Sequence, residues 1–380
     1  MISDTTLDNA VQSGLISVAQ RDGLYALEHA VPERAAEANE ENLRLVGGGN
    51  DVFVTVGTIL LSAGFFFVLV TLLPGQTQWI AGLLAAFAWL VAEIVTRQHR
   101  MKLSSTVLAL LFVASVAVVL ALEVNARFDL KAPQTIWEML ALRQTASRAG
   151  YLFLGGIIAA AALYFWRFKV PVLAGVIAVA LTLLAFLQTA IFLYDGVTTG
   201  AVAPPRLEDM PQLLRAALYM PLVCGLIVFA TGVLFDIRDR DRQTVWSDCA
   251  FWLHVVSAPM LVHPLFILAT GQDVAFGHIE PDANATVMLA LLIAAFVLVA
   301  LAIDRRSLLV PTLAYFGSLG IYYLVNSASN STGIPPFALI LVAVGALIIF
   351  FGAGWQRIRR LIIRPLLPTS VLNKLPPIKA

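Results

Sequence analysis

Two histidines lie within one apolar stretch of the chain, SDCAFWLHVVSAPMLVHPLF, at residues 247–266. Imidazole titrates near neutral pH and can relay protons, so His254 and His263 are the strongest candidates for chemistry. A carboxylate and a hydroxyl, Asp248 and Ser257, lie in the same stretch and join this candidate set. Ionisable groups are costly to bury in so apolar a segment, and each is therefore a hypothesis about function.

Two prolines in the same stretch, Pro259 and Pro264, predict a kinked helix. Each proline lacks the N–H that would bond the carbonyl four residues earlier, so we expect free carbonyls beside the imidazoles. Such a polar pocket suits a pathway for protons or a small solute. The alternative is that each histidine only makes a hydrogen bond to another helix.

A metal or haem site is the least favoured interpretation of the two histidines. Nine residues of straight helix turn the second side chain about 180° from the first, so the pair is not expected to share an ion. The other histidines, His29, His99 and His278, show no spacing typical of metal ligands. The sequence therefore predicts neither a metal site nor a cofactor.

Two further polar residues belong to the predicted pathway because they fall within apolar segments. Gln188 lies in the middle of one such segment and Glu93 near the end of another. A hydrogen bond from Gln188 to a neighbouring helix is the alternative for the first residue. An i,i+4 ion pair between Glu93 and Arg97 is the alternative for the second.

The elements that must position these residues are membrane-spanning helices. The 380-residue chain is 59% hydrophobic and 13% charged, with a mean hydropathy of +0.84, whereas soluble domains are about a quarter charged. It contains ten apolar segments long enough to cross a hydrocarbon core of about 30 Å. Their predicted bounds are 53–74, 79–96, 103–124, 149–166, 170–194, 216–236, 248–270, 284–304, 307–326 and 335–355. We therefore predict an all-α polytopic membrane protein.

The turns after the even-numbered segments are short and basic, as in RQHRMK and DIRDRDR, whereas three odd-numbered turns contain no lysine or arginine. The positive-inside rule then places both termini in the cytoplasm. Asp236 and Asp304 precede two of the basic turns. We expect them at the membrane interface, beside Arg238 and Arg305.

Two of the connections on the opposite side are long. Residues 125–148 contain TIWEMLALRQTASR, which predicts an amphipathic helix on the outer surface. Residues 195–215 predict a turn rich in proline and glycine, followed by a short helix.

The first fifty residues form an acidic region with eight acidic residues and three arginines. TTLDNAVQSG predicts a short helix that stops at Gly14, and Ser17 and Gln20 have the spacing of a capping box for a second helix. This cytoplasmic helical hairpin buries little surface, so it is a candidate for binding a cytoplasmic protein. No basic start precedes an apolar run, and no signal peptide is predicted.

The phrase LDNAVQSGLISVAQRDGLYAL resembles the opening of a family of uncharacterised bacterial multi-pass membrane proteins, catalogued as a domain of unknown function. The matching residues are Gly14, Leu15, Ile16, Ser17 and Gln20, followed by the apolar phrase GTILLSAGFFFVLV. The phrase Ser-Asp-x-Ala-Phe-Trp-Leu-His, with its later His-Pro, is similar to a motif of related bacterial membrane proteins. The resemblance implies this architecture in a bacterial inner membrane and supplies no activity.

The sequence thus predicts three regions: a hairpin and linker at 1–50, a ten-helix membrane domain at 51–356 and a basic cytoplasmic tail at 357–380. The first functional hypothesis is a transporter or channel-like protein for protons or a small solute, centred on the seventh segment. The alternative is a non-catalytic scaffold or sensor whose hairpin binds a cytoplasmic partner. Phosphate-binding loops, nucleophile elbows and HExxH motifs are absent from the sequence, so we predict no enzyme. The lipid bilayer is a predicted partner and nucleic acid is not.

Overall fold

A computed structural model describes residues 10–24, 49–99, 101–128, 136–203, 206–239, 242, 244–270, 283–309, 336–368 and 372. These residues are mostly helical and include no strand. Seven helices among them are long and apolar enough to cross a membrane. The predicted class, an all-α multi-pass membrane protein, agrees with this arrangement.

Ten α-helices are described in chain order. They are α1 (Gly49–Leu72), α2 (Thr77–Ala92), α3 (Lys102–Arg127), α4 (Ile136–Phe168), α5 (Val172–Thr198), α6 (Met210–Ala217), α7 (Tyr219–Arg238), α8 (Val245–Thr270), α9 (Ala283–Ile303) and α10 (Pro336–Leu366). A π-helical segment, Glu93–Gln98, extends α2, and 3₁₀ turns occur at Leu207–Asp209 and Arg306–Leu308.

The seven candidate membrane helices, α1 to α5 with α7 and α8, correspond to the first seven predicted segments. The helix α9 coincides with the eighth segment, and α10 covers the tenth and continues to Leu366. The ninth segment, 307–326, lies almost entirely outside the described residues. The count of ten therefore stays a prediction.

The connection before α4 differs from its prediction. Residues 136–148 were expected as a separate surface helix, but they are the first turns of α4, which has 33 residues and a length of about 50 Å. No glycine or proline interrupts this part of the sequence, so the helix continues. An ion pair between Arg143 and Asp195 joins the extension to the end of α5. In the other long connection, the predicted short helix is present as α6.

Ion pairs show which helix ends share one side of the bundle. Arg167 Nη2 lies 2.7 Å from Glu93 Oε2, which joins the end of α4 to the end of α2. Lys102 Nζ lies 3.8 Å from Asp248 Oδ2, which joins the start of α3 to the start of α8. The basic turns after α2 and α4 are therefore neighbours, and we call this side the basic side. Which membrane the chain occupies, and whether the basic side is cytoplasmic, stay predictions.

A buried carboxylate at the start of α1 caps α3. Asp51 is fully buried, and its Oδ2 accepts hydrogen bonds from the backbone N–H groups of Lys102 (3.1 Å) and Leu103 (2.9 Å). Its Oδ1 accepts one from the N–H of Ser104 at 3.3 Å. Helix N-termini leave such N–H groups unpaired and carry a partial positive charge, so the carboxylate stabilises both.

The described part of the N-terminal hairpin has the predicted local structure. Gly14 has φ +72°, a left-handed conformation that ends the first short helix. Ser17 N donates to Gln20 Oε1 at 2.9 Å, and Gln20 N donates to Ser17 Oγ at 3.2 Å. This reciprocal pair is the predicted capping box. The rest of the hairpin lies outside the described residues.

Candidate functional site

The helix that carries the two histidines, α8, is the most buried of the seven candidate membrane helices. Half of its membrane-length window is buried, compared with a third or less in the other six. It packs against α5, α7 and α9, and most extensively against α7. Two glycines of α7, Gly225 and Gly232, permit this approach, because a Cβ at either would lie 2.9 Å from an atom of α8.

The side chain of His254 is fully buried against one face of α7. Its Nε2 lies 2.9 Å from Asp236 Oδ2, and its ring centroid lies 5.2 Å from that of Phe229. The ring also lies directly over Gly232, where a Cβ would be 2.9 Å from His254 Cε1. Positions 229, 232 and 236 share a face of α7 because of their three- and four-residue spacing. One face of α7 therefore provides the slot in which the imidazole lies.

Arg305, in the turn after α9, completes this arrangement. Its Nε lies 3.1 Å from both carboxylate oxygens of Asp236, and its Nη2 also bonds to Asp236 Oδ1. The same Nη2 donates to the carbonyl and the hydroxyl of Ser247 at 3.0 and 2.9 Å. A guanidinium fork suits this simultaneous recognition. We call Asp236, Ser247, His254 and Arg305 the ionic cluster; all four are buried.

A second set of buried charges surrounds Asp304, the residue before Arg305. Trp355 Nε1 donates to Asp304 Oδ1 at 2.7 Å, and Arg242 Nη2 donates to the carbonyl of Asp304 at 2.7 Å. Arg359 Nη1 lies 3.8 Å from Asp304 Oδ2. These contacts join the α7–α8 turn, the end of α9 and α10. Asp304 and Arg242 have φ of 57° and 54°, a conformation that disfavours residues with a Cβ by about 1–2 kcal/mol.

The start of α8 is held by a carboxylate from the preceding turn. Asp239 Oδ2 accepts hydrogen bonds from the N–H and the hydroxyl of Thr244, at 2.9 and 2.6 Å, and from the N–H of Ser247 at 3.3 Å. This cap orients the first turn of α8, where Ser247 contacts Arg305.

The predicted partners of the two aspartates were wrong. Asp236 pairs with Arg305 and His254 rather than with Arg238. Both aspartates are buried within the protein, and their expected depth at the membrane interface stays a prediction. Residues two apart on a helix do not face each other, which separates Asp236 from Arg238. Asp304 likewise pairs with Arg242 and Arg359 rather than with its neighbour Arg305. Their burial was missed because both residues precede turns rich in arginine, which is typical of an interface.

The two histidines of α8 are in different environments. His254 belongs to the ionic cluster, whereas His263 is exposed on the surface of the helix. Ser257 is fully buried one turn from His254, and its hydroxyl donates to the carbonyl of His254 at 3.1 Å. The helix continues through Pro259, which is exposed, and Pro264, which is buried. The predicted kink stays a prediction.

The remaining predicted pathway residues pair with side chains outside the ionic cluster. Asp248 is at the start of α8, in the ion pair with Lys102. Tyr151 donates its hydroxyl hydrogen to Gln188 Oε1, which joins α4 to α5. Glu93 pairs with Arg97 at 3.4 Å and also with Arg167. The plainer alternatives considered for Gln188 and Glu93 therefore describe their contacts.

The chemistry available to the site lies in the imidazole. Within the described part of the chain, His254 Nδ1 has no hydrogen-bond partner, although Nε2 faces Asp236. A neutral imidazole can accept a proton at one nitrogen and release one from the other. No three histidine, cysteine, aspartate or glutamate side chains in the described regions form a group able to hold a metal ion.

No protein-family model, curated protein or solved structure matches this chain. The similarity of residues 14–20 to the uncharacterised bacterial family therefore stays a resemblance, and function has to be argued from the geometry of the site.

Proposed function

We propose that this chain is a transporter or channel-like membrane protein that handles protons or a small solute, with α8 at its working centre. The single observation that carries the proposal is the contact between His254 and Asp236. It places a titratable ring, fully buried, against a carboxylate that an arginine from another helix end already holds. Buried ionisable groups in membrane helices typically mark ion or proton pathways.

The geometry supports a competition between two cations for one carboxylate. With a neutral imidazole, Asp236 is balanced by Arg305. A proton arriving at His254 adds a second positive charge beside the same carboxylate and weakens the hold of Arg305. Because Arg305 also bonds to Ser247, its release separates the turn after α9 from α7 and α8. In transporters, a movement of one helix end against its neighbours can open a path to one side of the membrane.

The test is proton flux into liposomes containing the purified full-length chain. A potassium diffusion potential would drive the flux, and a trapped pH-sensitive dye would report it. We expect flux above that of protein-free liposomes, increasing as the external pH falls, because protonation of His254 is the step that loosens Arg305. We expect His254→Gln to reduce this flux at least tenfold, because a side-chain amide does not titrate.

The matched control is His263→Gln, the same substitution nine residues further along α8. This exposed residue is remote from Asp236, so its loss should leave the flux within about twofold of the original, a change worth less than 0.5 kcal/mol. Flux equal to that of empty liposomes at every pH, or equal flux in the original and His254→Gln proteins, would overturn the proposal.

A scaffold or sensor is the second candidate, and a feature of the hairpin favours it. Leu15 and Val18 are 79% and 56% exposed, which leaves apolar side chains available to a protein partner. Removal of residues 1–45 separates the two functions. A transporter retains flux without the hairpin, whereas a scaffold shows no flux in either form and loses its partner.

A further inference from the structure

An apolar groove of about 440 Å³ opens between α5 and α7, with α8 as its floor. Ala178 and Ala185 line one wall, Cys224 and Val228 line the other, and Leu253 lies on the floor. The volume is within the usual range for sites that bind small molecules. None of the four residues of the ionic cluster lines the groove, and positions 232 and 236 lie on a different face of α7 from the lining residues.

The walls of the groove are suited to hydrocarbon and not to a polar ligand. Its two threonines use their hydroxyl hydrogens within their own helices. Thr182 Oγ1 donates to the carbonyl of Ala178 at 2.9 Å, and Thr231 Oγ1 donates to the carbonyl of Ile227 at 2.8 Å. A ligand inside the groove therefore meets almost entirely apolar surface.

The length of the groove matches one leaflet of a bilayer. Its lining extends along α5 from Ala174 to Ala185 and along α7 from Cys224 to Phe235. Eleven residues of helix correspond to about 16 Å along each wall. A leaflet contributes about 15 Å to the hydrocarbon core. The groove thus has the depth of one acyl chain that starts at the basic side.

The end of the groove on the basic side is aromatic and positively charged. Trp246 lies between Phe165 and Phe235, with centroid distances of 6.4 and 5.1 Å. Lys169, the exposed residue after α4, places its Nζ 5.4 Å from the ring centroid of Phe165. Tryptophan is enriched at the level of lipid headgroups, and lysine attracts anionic lipid phosphates.

We propose that this groove binds an acyl chain of an anionic phospholipid from the leaflet on the basic side, with Lys169 contacting the phosphate. The apolar walls favour a hydrocarbon chain, and the length of the groove matches the thickness of one leaflet. The positive charge of Lys169 favours an anionic headgroup. An extended peptide fits less well, because its backbone polar groups would find no partner on these walls.

The experiment measures lipid binding to the full-length protein in detergent by native mass spectrometry. Phosphatidylglycerol and phosphatidylcholine with identical acyl chains would be titrated separately. We expect phosphatidylglycerol to bind about fivefold more tightly, as one basic residue near the phosphate implies. Lys169→Gln should remove this preference while leaving phosphatidylcholine binding unchanged, and Lys169→Arg should retain it.

A second pair of variants tests whether the groove itself holds the chain. Ala185→Phe places a ring inside the groove and should weaken the binding of both lipids. Ala190→Phe makes the same change at an exposed position of α5 that does not line the groove, and should have no effect. Equal binding of the two lipids by the original protein would overturn the anionic headgroup, and unchanged binding in Ala185→Phe would overturn the groove.

Discussion

On its basic side, this protein fills the space between α2, α3 and α4 with aromatic rings and the space between α7, α8 and α9 with charges. Trp89 contacts Phe112, Tyr164 and Phe168, with ring centroids 5.0 to 5.5 Å apart. The ionic cluster instead joins its helices through Asp236 and Arg305. Aromatic rings can pack in several geometries over a range of centroid distances, whereas a buried ion pair is favourable only when its charged atoms are closely aligned.

The difference indicates where conformational change is concentrated. Opening an apolar core costs free energy because packing contacts are lost. This cost does not depend on the protonation of a side chain. A buried ionic cluster is a weak source of net stability, because desolvation opposes the attraction, but it fails sharply when one charge is removed. A proton or an ion can therefore change the packing of α7 to α9 more readily than that of the aromatic core.

The largest effect should follow from Asp236→Asn. This change leaves Arg305 buried without its carboxylate. Removal of one partner of a buried ion pair lowers the free energy of unfolding by about 3–5 kcal/mol. Unfolding of the purified protein in detergent would measure the loss. Asp209→Asn, at an exposed position before α6, is the control and should change stability by less than about 0.5 kcal/mol. If the two variants have similar free energies of unfolding, the ion pair between Asp236 and Arg305 is not sensitive to the loss of one charge, and the proposed contrast with the aromatic core is wrong.

Gly232→Ala tests the slot for the imidazole. The new methyl group would lie 2.9 Å from His254 Cε1, so we expect a loss of about 1–3 kcal/mol from overpacking. Gly64→Ala in α1 is the control, because a Cβ there meets no atom within 4 Å. Addition of His254→Ala should recover part of the loss, and strictly additive effects would contradict the contact.

Asp51→Ala tests the only cap described between α1 and α3. Three backbone N–H groups of α3 lose their acceptor, and we expect a loss of about 1–2 kcal/mol. Asp51→Asn keeps an acceptor oxygen and should lose less. If the two variants are equally unstable, the charge rather than the hydrogen bonding holds α3.

Tyr164→Phe should have the smallest effect and sharpens the comparison most directly. Tyr164 is fully buried, and in the described residues its hydroxyl has no hydrogen-bond partner. Its removal keeps the ring contacts with Trp89 and Phe112, so stability should stay within about 0.5 kcal/mol or rise slightly. A loss above 1 kcal/mol would place an undetected polar partner inside the aromatic core.

Several features of the fold could be predicted because they depend on neighbours in the sequence. Apolar length located the seven candidate membrane helices, and the capping box at Ser17 and Gln20 was predicted from its spacing alone. The same reasoning failed for residues 136–148. Amphipathic composition indicated a surface helix there, but composition does not determine whether a helix ends before the next apolar segment.

The candidate site was predicted only in part. His254 and Ser257 were identified because polar residues are conspicuous in an apolar segment. Asp236 and Arg305 were assigned to an interface, since each stands beside charges in the sequence. The two residues are 69 positions apart in the sequence, and no local sequence pattern predicts a contact between residues so far apart.

By itself, the sequence determined that this protein is built from apolar helices with basic turns between them, because the length and spacing of apolar residues follow the bilayer and the helix repeat. Only the tertiary structure decided which charges meet. The rotation and depth of each helix select the partners of Asp236, Asp304 and His254, and these depend on packing across the bundle, such as the contact of α8 with Gly232. His263, two and a half turns further along α8 than His254, therefore has the same side chain and a different environment in the protein.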